Sequence, residues 1–273
     1  MTEPNYTVWV PGMNEMENDW RPSRYLPSPE GTLLSQTLHR KIIRISEDRV
    51  VKFGFNLNPS EAANLQFVAE NTTIPVPKPY DVGWEDGKVT SIEMDYIPGN
   101  PLDKVWPSMD STQRLSIANQ LQGYISQLRK LKGDFIGSAD RGKITYGSLF
   151  ATRCGPFDSE KAFNEWRLSD IKRDLKDPMK PCVMFALPDD HEILFTHGDI
   201  SARNINVDEN GNITGILDWE TSGWYPEYWE YVESVHQRSD PDGWTDYHSI
   251  IFPDRYERDF INCVFMDKFT RHN

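Results

Sequence analysis

The sequence predicts an α+β fold in which a small, mostly antiparallel β part with one helix is followed by a larger, mainly helical part. Three observations lead to this prediction. Strand and hairpin patterns dominate residues 40–94, an amphipathic helix pattern runs through residues 110–132, and a polar motif, "FTHGDISARNINV" at 195–207, lies between two short apolar runs. Pro98-Gly99 stops the last strand pattern of the first part. We therefore divide the chain into residues 1–94 and 95–273, two lobes of one unit.

Composition and charge disfavour several classes of protein. The 273 residues are 38% hydrophobic and 12% aromatic, which is too rich in large apolar groups for a disordered chain. The formal net charge is -13, so neither nucleic acid nor an anionic membrane surface is an expected partner. No pattern in the sequence indicates an oligomeric state.

The cysteines and the amino terminus indicate a cytoplasmic protein. Cys154, Cys182 and Cys263 are far apart, which predicts neither a disulfide framework nor a zinc site. The first twenty residues carry no lysine or arginine and no apolar run of signal-peptide length, and no stretch has the length of a membrane span.

The first lobe is predicted element by element. Residues 1–30 lack a period and suggest an irregular arm, after which residues 41–45 and 50–53 form a hairpin across a polar turn. Apolar residues at helical spacing follow Pro59 and predict a helix with Ser60 as its N-cap. Strands then run through residues 88–94.

The second lobe begins with the strongest helix signal in the chain. Asp110 and Gln113 have the spacing of a capping box. The stripe that we expect to be buried comprises Leu115, Ala118, Leu121, Ile125, Leu128 and Leu131. Further on, the sequence predicts a helix at 159–175, a strand at 192–195 and a hairpin at 204–220 that turns at Asn210-Gly211.

Three polar residues near this hairpin suggest the chemistry. Asn204 precedes its first strand and Asp218 follows its second, so both face one point. Carboxylate and amide oxygens suit Mg²⁺ bound to a nucleotide, which leaves Asp199 to orient an acceptor hydroxyl and to take its proton. Each residue taken alone has an ordinary structural role as a cap or turn residue. The three together, with Lys52, favour phosphoryl transfer.

The chain resembles the aminoglycoside phosphotransferase and choline kinase branch of the protein-kinase-like superfamily, especially its fungal members of uncertain substrate. The resemblance covers most of residues 40–235 and rests on five segments in the family's order. They are "VVKFG" at 50–54, "SEAANLQFVAENTTIPVPKPYDVG" at 60–83, "MDYIPGNPL" at 94–102, "FTHGDISARNINV" and "ITGILDWETSGWYPEYWEY" at 213–231. It implies a bilobal kinase-like fold, with nucleotide in the first lobe and acceptor in the second.

The resemblance also implies a role for single residues. Lys52 matches the lysine that holds the nucleotide phosphates, Glu61 the helix glutamate that pairs with it, and Asp199 the catalytic aspartate. Asn204 and Asp218 match the metal ligands. The segment Asp95, Tyr96 and Ile97 matches the hinge whose backbone binds adenine. His197 matches a loop histidine that braces the loop. Electrostatics alone requires a carboxylate near a buried Lys52, and Glu70 is the rival to Glu61.

The sequence departs from the family pattern in the nucleotide loop. No glycine lies between Thr32 and Phe53, although glycine lets a backbone approach phosphates closely. The corresponding turn is "LSQTLH" at 34–39, in which Ser35, Gln36 and Thr37 either offer donors or form an ordinary solvated loop.

We expect an ATP- and Mg²⁺-dependent kinase that acts on the hydroxyl of a small molecule. The aromatic and acidic segment at 224–246 suggests a cationic acceptor held by cation-π contacts, although its aromatics are better explained as core. A catalytically silent nucleotide-binding or scaffolding protein is the first alternative. A protein kinase is the second, but Gly198 replaces the arginine of regulated protein kinases, and the sequence after Asp218 is too short for a long activation segment.

Overall fold

The computed structural model describes residues 28–37, 39–55, 57–147, 152–169, 187–236 and 241–267. Most of the predicted irregular arm, and the part of the predicted helix at 159–175 that follows residue 169, lie outside these residues. The α+β prediction is confirmed, because an antiparallel sheet forms the first part and most of the helices lie in the second.

The first lobe is a five-stranded antiparallel sheet with one helix. The strands are β1 (Thr32–Gln36), β2 (Arg40–Arg44), β3 (Arg49–Gly54), β4 (Pro79–Glu85) and β5 (Lys88–Asp95), in the order β1-β2-β3-β5-β4. Strands β2 and β3 form the predicted hairpin, and β3 is central. Helix α1 (Glu61–Asn71) buries Leu65 and Val68, in agreement with the helical period. The predicted boundary between residues 94 and 95 falls at the end of β5.

Ser60 lies at the N-cap of α1, as predicted, although its side chain makes no capping hydrogen bond. The Ser60 hydroxyl instead donates to Asp140 and accepts from Ser138, both in the second lobe. A contact between lobes thus takes the place of a local cap.

The second lobe contains helices and three small sheets. Its helices are α2 (Leu102–Val105), α3 (Ser111–Leu128), α4 (Glu160–Ser169), α5 (Trp229–His236), α6 (His248–Ile251) and α7 (Glu257–Asp267). Its strands are β6 (Asn100–Pro101), β7 (Lys132–Gly133), β8 (Ile144–Tyr146), β9 (Thr152–Cys154), β10 (Ile193–Thr196), β11 (Ile205–Val207), β12 (Ile213–Ile216) and β13 (Gly223–Pro226). None of the helices in the described part of the chain is both long and apolar enough to cross a membrane.

Helix α3 has both halves of the predicted capping box, because the Asp110 carboxylate accepts from the Gln113 backbone and the Gln113 side chain accepts from the Asp110 backbone. The predicted burial is wrong for one residue of the stripe. Leu115 is 42% exposed, whereas Ile117 is fully buried and takes part in the core.

The hairpin that carries the polar motif forms as predicted. Strands β11 and β12 pair antiparallel, with Ile205 opposite Ile216, and β6 pairs with the other edge of β11. The connection between the lobes packs closely on this sheet at Gly99. Its φ is +133°, and a Cβ at this position would lie 2.8 Å from the Val207 carbonyl oxygen. A side chain at residue 99 is therefore disfavoured by both strain and space.

Candidate active site

Lys52 lies on β3, the central strand of the first sheet, between Ile42 and Ile92. Its side chain is almost fully buried, and Nζ lies 3.0 and 2.8 Å from the two carboxylate oxygens of Glu61. Glu61 is the first residue of α1 and points toward the sheet, whereas Glu70 lies at the other end of the helix, where it accepts from Gln66. The structure therefore pairs Lys52 with the first of the two candidate carboxylates.

Lys52 also joins the two lobes. Its Nζ lies 2.8 Å from Asp218 Oδ1 and 3.3 Å from Glu220 Oε2, both in the second lobe. Burial acts to lower the pKa of Lys52, but Asp218, Glu61 and Glu220 outweigh it and raise the pKa above its usual value. Three carboxylates thus share a single buried ammonium, and Arg40 adds a second cation at Glu220.

The carboxylates of this cluster have opposite pKa shifts. Burial, together with repulsion from Asp218 and Glu220, raises the pKa of Glu61 even though Lys52 acts to lower it. Burial also acts to raise the pKa of Asp218, but Lys52 and Arg40 outweigh it and hold the pKa below its usual range. Asp218 is therefore ionised at neutral pH and is able to bind a cation.

Asp218 has an unusual backbone conformation. It directly follows the β11–β12 hairpin with φ +64° and ψ +67°, in the left-handed region that few residues other than glycine adopt. The preceding residue, Leu217, donates its N–H to the Asn204 carbonyl oxygen at 2.7 Å. The hairpin therefore brings the backbone of Asn204 next to that of Asp218, as its predicted register requires.

Asp199 and Asn204 are in direct contact. The Asn204 amide nitrogen lies 2.9 Å from Asp199 Oδ2 and 3.0 Å from the Asp199 carbonyl oxygen. This leaves the Asn204 amide oxygen as an acceptor. Arg203 Nη2 contacts both carboxylate oxygens of Asp199, at 2.8 and 2.7 Å. The Asp199 carboxylate is therefore held in one orientation by two neighbours in its own loop.

His197 braces this loop. The Asp199 N–H donates to Nδ1 at 3.1 Å, so the neutral ring carries its proton on Nε2, which lies 3.1 Å from the Leu217 carbonyl oxygen. The ring is fully buried, and burial lowers the pKa of His197, which keeps it neutral. It thereby links the segments that carry Asp199 and Asp218 and has no exposed nitrogen for proton transfer to a substrate.

A buried carboxylate also holds the backbone of the same loop. Glu230, on α5, accepts from the backbone N–H groups of His197 at 2.6 Å and Gly198 at 3.0 Å. Burial raises the pKa of Glu230 to about 7, although both hydrogen bonds act to lower it. Gly198 has φ +79°, and a Cβ there would lie 3.0 Å from the Thr221 carbonyl oxygen, so the loop requires glycine at this residue.

The predicted hinge segment is partly occupied by contacts within the protein. The N–H of Asp95 donates to the Lys78 carbonyl oxygen and that of Tyr96 to Asp48, at 3.1 and 2.8 Å. The Ile97 carbonyl oxygen accepts from the Asn206 side chain at 3.0 Å. These bonds fix the connection between lobes.

The glycine-free connection between β1 and β2 is short, because β1 ends at Gln36 and β2 begins at Arg40. Ser35 and Gln36 lie within strand β1 and not in the turn, so the predicted span of "LSQTLH" is too long. The turn closes through Thr37, whose N–H donates to the Arg40 carbonyl oxygen at 2.8 Å. All three predicted donor residues are exposed.

The aromatic residues of the 224–246 segment form core. The side chains of Trp224, Tyr225, Tyr228, Trp229 and Trp244 are all at most 8% exposed. They stack on one another and on neighbouring rings, as in the parallel pair Tyr225 and Trp229. Burial therefore supports the core explanation and leaves these rings unable to enclose a cationic ligand at the surface.

The donor set at the cleft suits a hard divalent cation. Carboxylate oxygens of Glu61, Asp218 and Glu220 lie within 4.8 Å of one another, and the backbone of Asn204 pairs with that of Leu217, the residue before Asp218. Oxygen ligands of this kind are preferred by Mg²⁺. Lys52 contacts both carboxylate oxygens of Glu61, whose side chain is 2% exposed, but one oxygen each of Asp218 and Glu220, which are 36% and 18% exposed. Asp218 and Glu220 are therefore more accessible to a cation than Glu61.

Sequence reasoning missed five charged residues at this site, one of which is Glu220 itself. Arg40 and Arg153 approach Glu220, Arg203 holds Asp199, and Glu230 anchors the loop. Arg203 and Glu220 had a local signal, since Arg203 lies four residues after Asp199 in the polar motif and Glu220 lies two residues after Asp218. The others are distant in sequence from the groups that they contact.

Comparisons with known proteins identify the family and the fold of this chain. The model of the family described as "Phosphotransferase enzyme family" matches residues 44–247. Comparison with curated proteins gave no match.

Solved structures with a similar fold include three phosphotransferases. The GDP complex of aminoglycoside 2'-phosphotransferase-IIIa has 13% identity and a TM-score of 0.58 over 90% of this chain and 85% of that chain. ADP-bound aminoglycoside phosphotransferase APH(2'')-Ib has 15% identity and a TM-score of 0.58 over 86% and 79%. Macrolide 2'-phosphotransferase MphH from Brachybacterium faecium has 16% identity and a TM-score of 0.51 over 86% and 81%. These similarities confirm the bilobal kinase-like fold.

Proposed function

Because this chain belongs to the phosphotransferase enzyme family and is a small-molecule kinase, we propose that it transfers the γ-phosphoryl group of ATP, with Mg²⁺, to a hydroxyl group of its acceptor. The observation that carries this proposal is the contact of Lys52 with Glu61 on one side and Asp218 on the other, next to the paired Asp199 and Asn204. These residues are the proposed site.

Each residue has a distinct proposed role. Lys52, oriented by Glu61, binds phosphate oxygens of the nucleotide, and the adenine ring binds backbone groups of Asp95, Tyr96 and Ile97 other than those bonded within the protein. Asp218 and Asn204 hold Mg²⁺, with Glu220 as a further carboxylate ligand. The ion neutralises charge on the phosphates when bound. The similar structures with bound GDP and ADP support a nucleotide donor.

The transfer step places Asp199 at the acceptor. The acceptor oxygen forms a bond to the γ-phosphorus, the bond from that phosphorus to the bridging oxygen of ADP breaks, and the hydroxyl proton passes to the Asp199 carboxylate. The contacts with Arg203 and Asn204 fix the direction of this carboxylate before the acceptor binds. Most of the catalytic effect is then positioning and charge neutralisation.

The acceptor is proposed as a small molecule with a free hydroxyl group. Structures with similar folds include a kanamycin complex and a gentamicin complex of APH(2'') enzymes. Kanamycin and gentamicin are polyhydroxylated amines. Five aromatics considered as an amine site are buried, so cation recognition has to come from carboxylates of the cleft.

The role assignment is tested by two substitutions with separable effects. Asp199→Ala should lower kcat by about 10² to 10⁴ fold while leaving the Kd of MgATP within about twofold, since it removes the base but no nucleotide ligand. Asp218→Ala should raise the Kd of MgATP itself. The measurements are ADP release with a panel of amino alcohols, sugars and aminoglycosides, and calorimetric titration with MgATP.

Glu209→Ala is the matched control, because Glu209 is an exposed carboxylate at the tip of the same hairpin. It should behave as wild type in both measurements. Equal turnover in Asp199→Ala and wild type would contradict the assigned roles. Nucleotide binding without ADP release for any acceptor would instead support the silent nucleotide-binding protein, and labelling of polypeptides alone would support a protein kinase.

A further inference from the structure

The short turn between β1 and β2 lacks glycine, but the first residue after it reaches the active site. Arg40 begins β2, and its guanidinium contacts the carboxylate of Glu220, which lies 180 residues further along the chain. Glu220 in turn lies 3.3 Å from Lys52 Nζ. Two cations of the first lobe, Arg40 and Lys52, therefore contact the same carboxylate of the second lobe.

The register of the sheet explains why both cations point to the cleft. Arg40 lies opposite Gly54, and Ile42 lies opposite Lys52. Residues two apart on a strand, and residues directly opposite on paired strands, share one face of a sheet. Arg40 and Lys52 consequently occupy the same face as diagonal neighbours, and Gly54 places no side chain beside the guanidinium.

The two cations differ in their access to solvent. The Lys52 and Glu61 side chains are 6% and 2% exposed, so this pair forms the base of the cleft. The Arg40 side chain is 34% exposed and that of Glu220 18%, so this second pair lies nearer the mouth. A ligand entering the cleft therefore meets Arg40 before it meets Lys52.

A third cation approaches Glu220 from the second lobe. Arg153 lies on β9 opposite Thr145, whose hydroxyl donates to the Glu220 carbonyl oxygen at 3.3 Å. Its guanidinium is close enough to interact electrostatically with both Glu220 and Arg40. Two arginines, Arg40 and Arg153, thus act on Glu220 in addition to Lys52.

We propose that Arg40 binds the phosphate chain of the nucleotide in place of a glycine-rich backbone loop, exchanging its contact with Glu220 for contacts with phosphate oxygens. This inference rests on the proposed function. A planar guanidinium offers paired N–H donors that match phosphate oxygens, so it replaces backbone N–H groups with side-chain donors. Release of Glu220 also makes its carboxylate available on the metal side of the cleft.

Calorimetric titration of the full chain tests the proposal. MgATP, MgADP and adenosine are titrated into wild type, Arg40→Met and Arg40→Lys. Arg40→Met should weaken MgATP and MgADP binding by about 10 to 100 fold, as expected for hydrogen bonds to a charged group, and should change adenosine binding less than about twofold. Arg40→Lys should lie between, because it keeps the charge but not the paired donors.

Lys41→Met is the matched control. Lys41 is the next residue on β2, carries the same charge and faces the other side of the sheet, where its Nζ contacts Ser28 at 3.1 Å. It should bind all three ligands as wild type does.

Three results would overturn the proposal. MgATP binding by Arg40→Met that equals wild type would reject the role of Arg40 and leave the proposed function intact. An equal loss of adenosine binding would show that Arg40 shapes the cleft and does not bind phosphate. A wild-type chain that binds none of the three ligands would reject both the role of Arg40 and the proposed function.

Discussion

Lys52 is surrounded by more negative charge than it neutralises. Glu61, Asp218 and Glu220 all lie within 3.3 Å of its ammonium, and Arg40 compensates only at Glu220. A buried charge without a partner costs several kcal/mol, so loss of the central cation and loss of one carboxylate are not equivalent. The three carboxylates around one ammonium therefore favour the binding of a further cation more than they stabilise the fold.

Substitutions at the two ends of this pair should differ in stability. Lys52→Met should lower the free energy of unfolding by about 3 to 5 kcal/mol, because it leaves the buried Glu61 without its cation and next to the partly exposed Asp218. Glu61→Gln should cost about 1 kcal/mol or less, since Lys52 keeps two carboxylates and their mutual repulsion decreases.

Urea unfolding at pH 7 measures both values. Equal losses in the two variants would show that the excess of carboxylates has no energetic effect. Gln66→Ala on the exposed side of α1 provides the control, with an expected change of about 0.5 kcal/mol or less.

At the scale of elements, helix α3 shows that an amphipathic pattern can assign one residue to the buried face wrongly. Leu115 is the fifth residue of the helix and has the correct helical spacing, yet it is exposed, and Ile117 contacts the core in its place. Both residues border an apolar face that is wider than the packed surface, and the neighbouring elements determine which part of that face is covered.

This difference predicts unequal effects of truncation on one helix. Ile117→Ala should lower the free energy of unfolding by about 2 to 5 kcal/mol, because it leaves a cavity in the core. Leu115→Ala should change it by about 0.5 kcal/mol or less, since alanine favours the helix and little apolar area is lost. Chemical denaturation compares the two variants, and a larger loss for Leu115→Ala would contradict the packing described for α3.

At the scale of the whole molecule, the two lobes share one core. One cluster of buried residues includes Leu65 and Ile92 of the first lobe together with Leu102 and Leu121 of the second. Asn64 of α1 adds hydrogen bonds between the lobes. Its amide nitrogen donates to the Ser222 carbonyl oxygen at 2.9 Å, and its oxygen accepts from the Ala139 N–H at 2.9 Å.

We therefore expect the described lobes to unfold in one transition. Calorimetric and van't Hoff enthalpies should agree, which is the test of a cooperative unit. Asn64→Ala should lower the free energy of unfolding of this unit by about 2 to 4 kcal/mol, because it leaves buried backbone groups of the second lobe without partners. Asn71→Ala, at the exposed end of the same helix, should have little effect, since its side chain contacts only the Phe67 carbonyl oxygen of its own helix.

Two resolved transitions, with only the first shifted by Asn64→Ala, would contradict a shared core. They would instead support lobes that are stable independently, divided at the predicted boundary between residues 94 and 95.

The sequence by itself determined the α+β class, the hairpins and the grouping of Asp199, Asn204 and Asp218. These features depend on spacing within about twenty residues, where strand alternation and a tight turn fix geometry locally. Only the tertiary structure decided that Arg40 and Glu220 meet and that Glu230 supports the loop, whereas the sequence already favoured core positions for the aromatics of the 224–246 segment. Contacts of this kind join segments distant along the chain. Their partners are selected by how whole elements pack, and no local period records that packing.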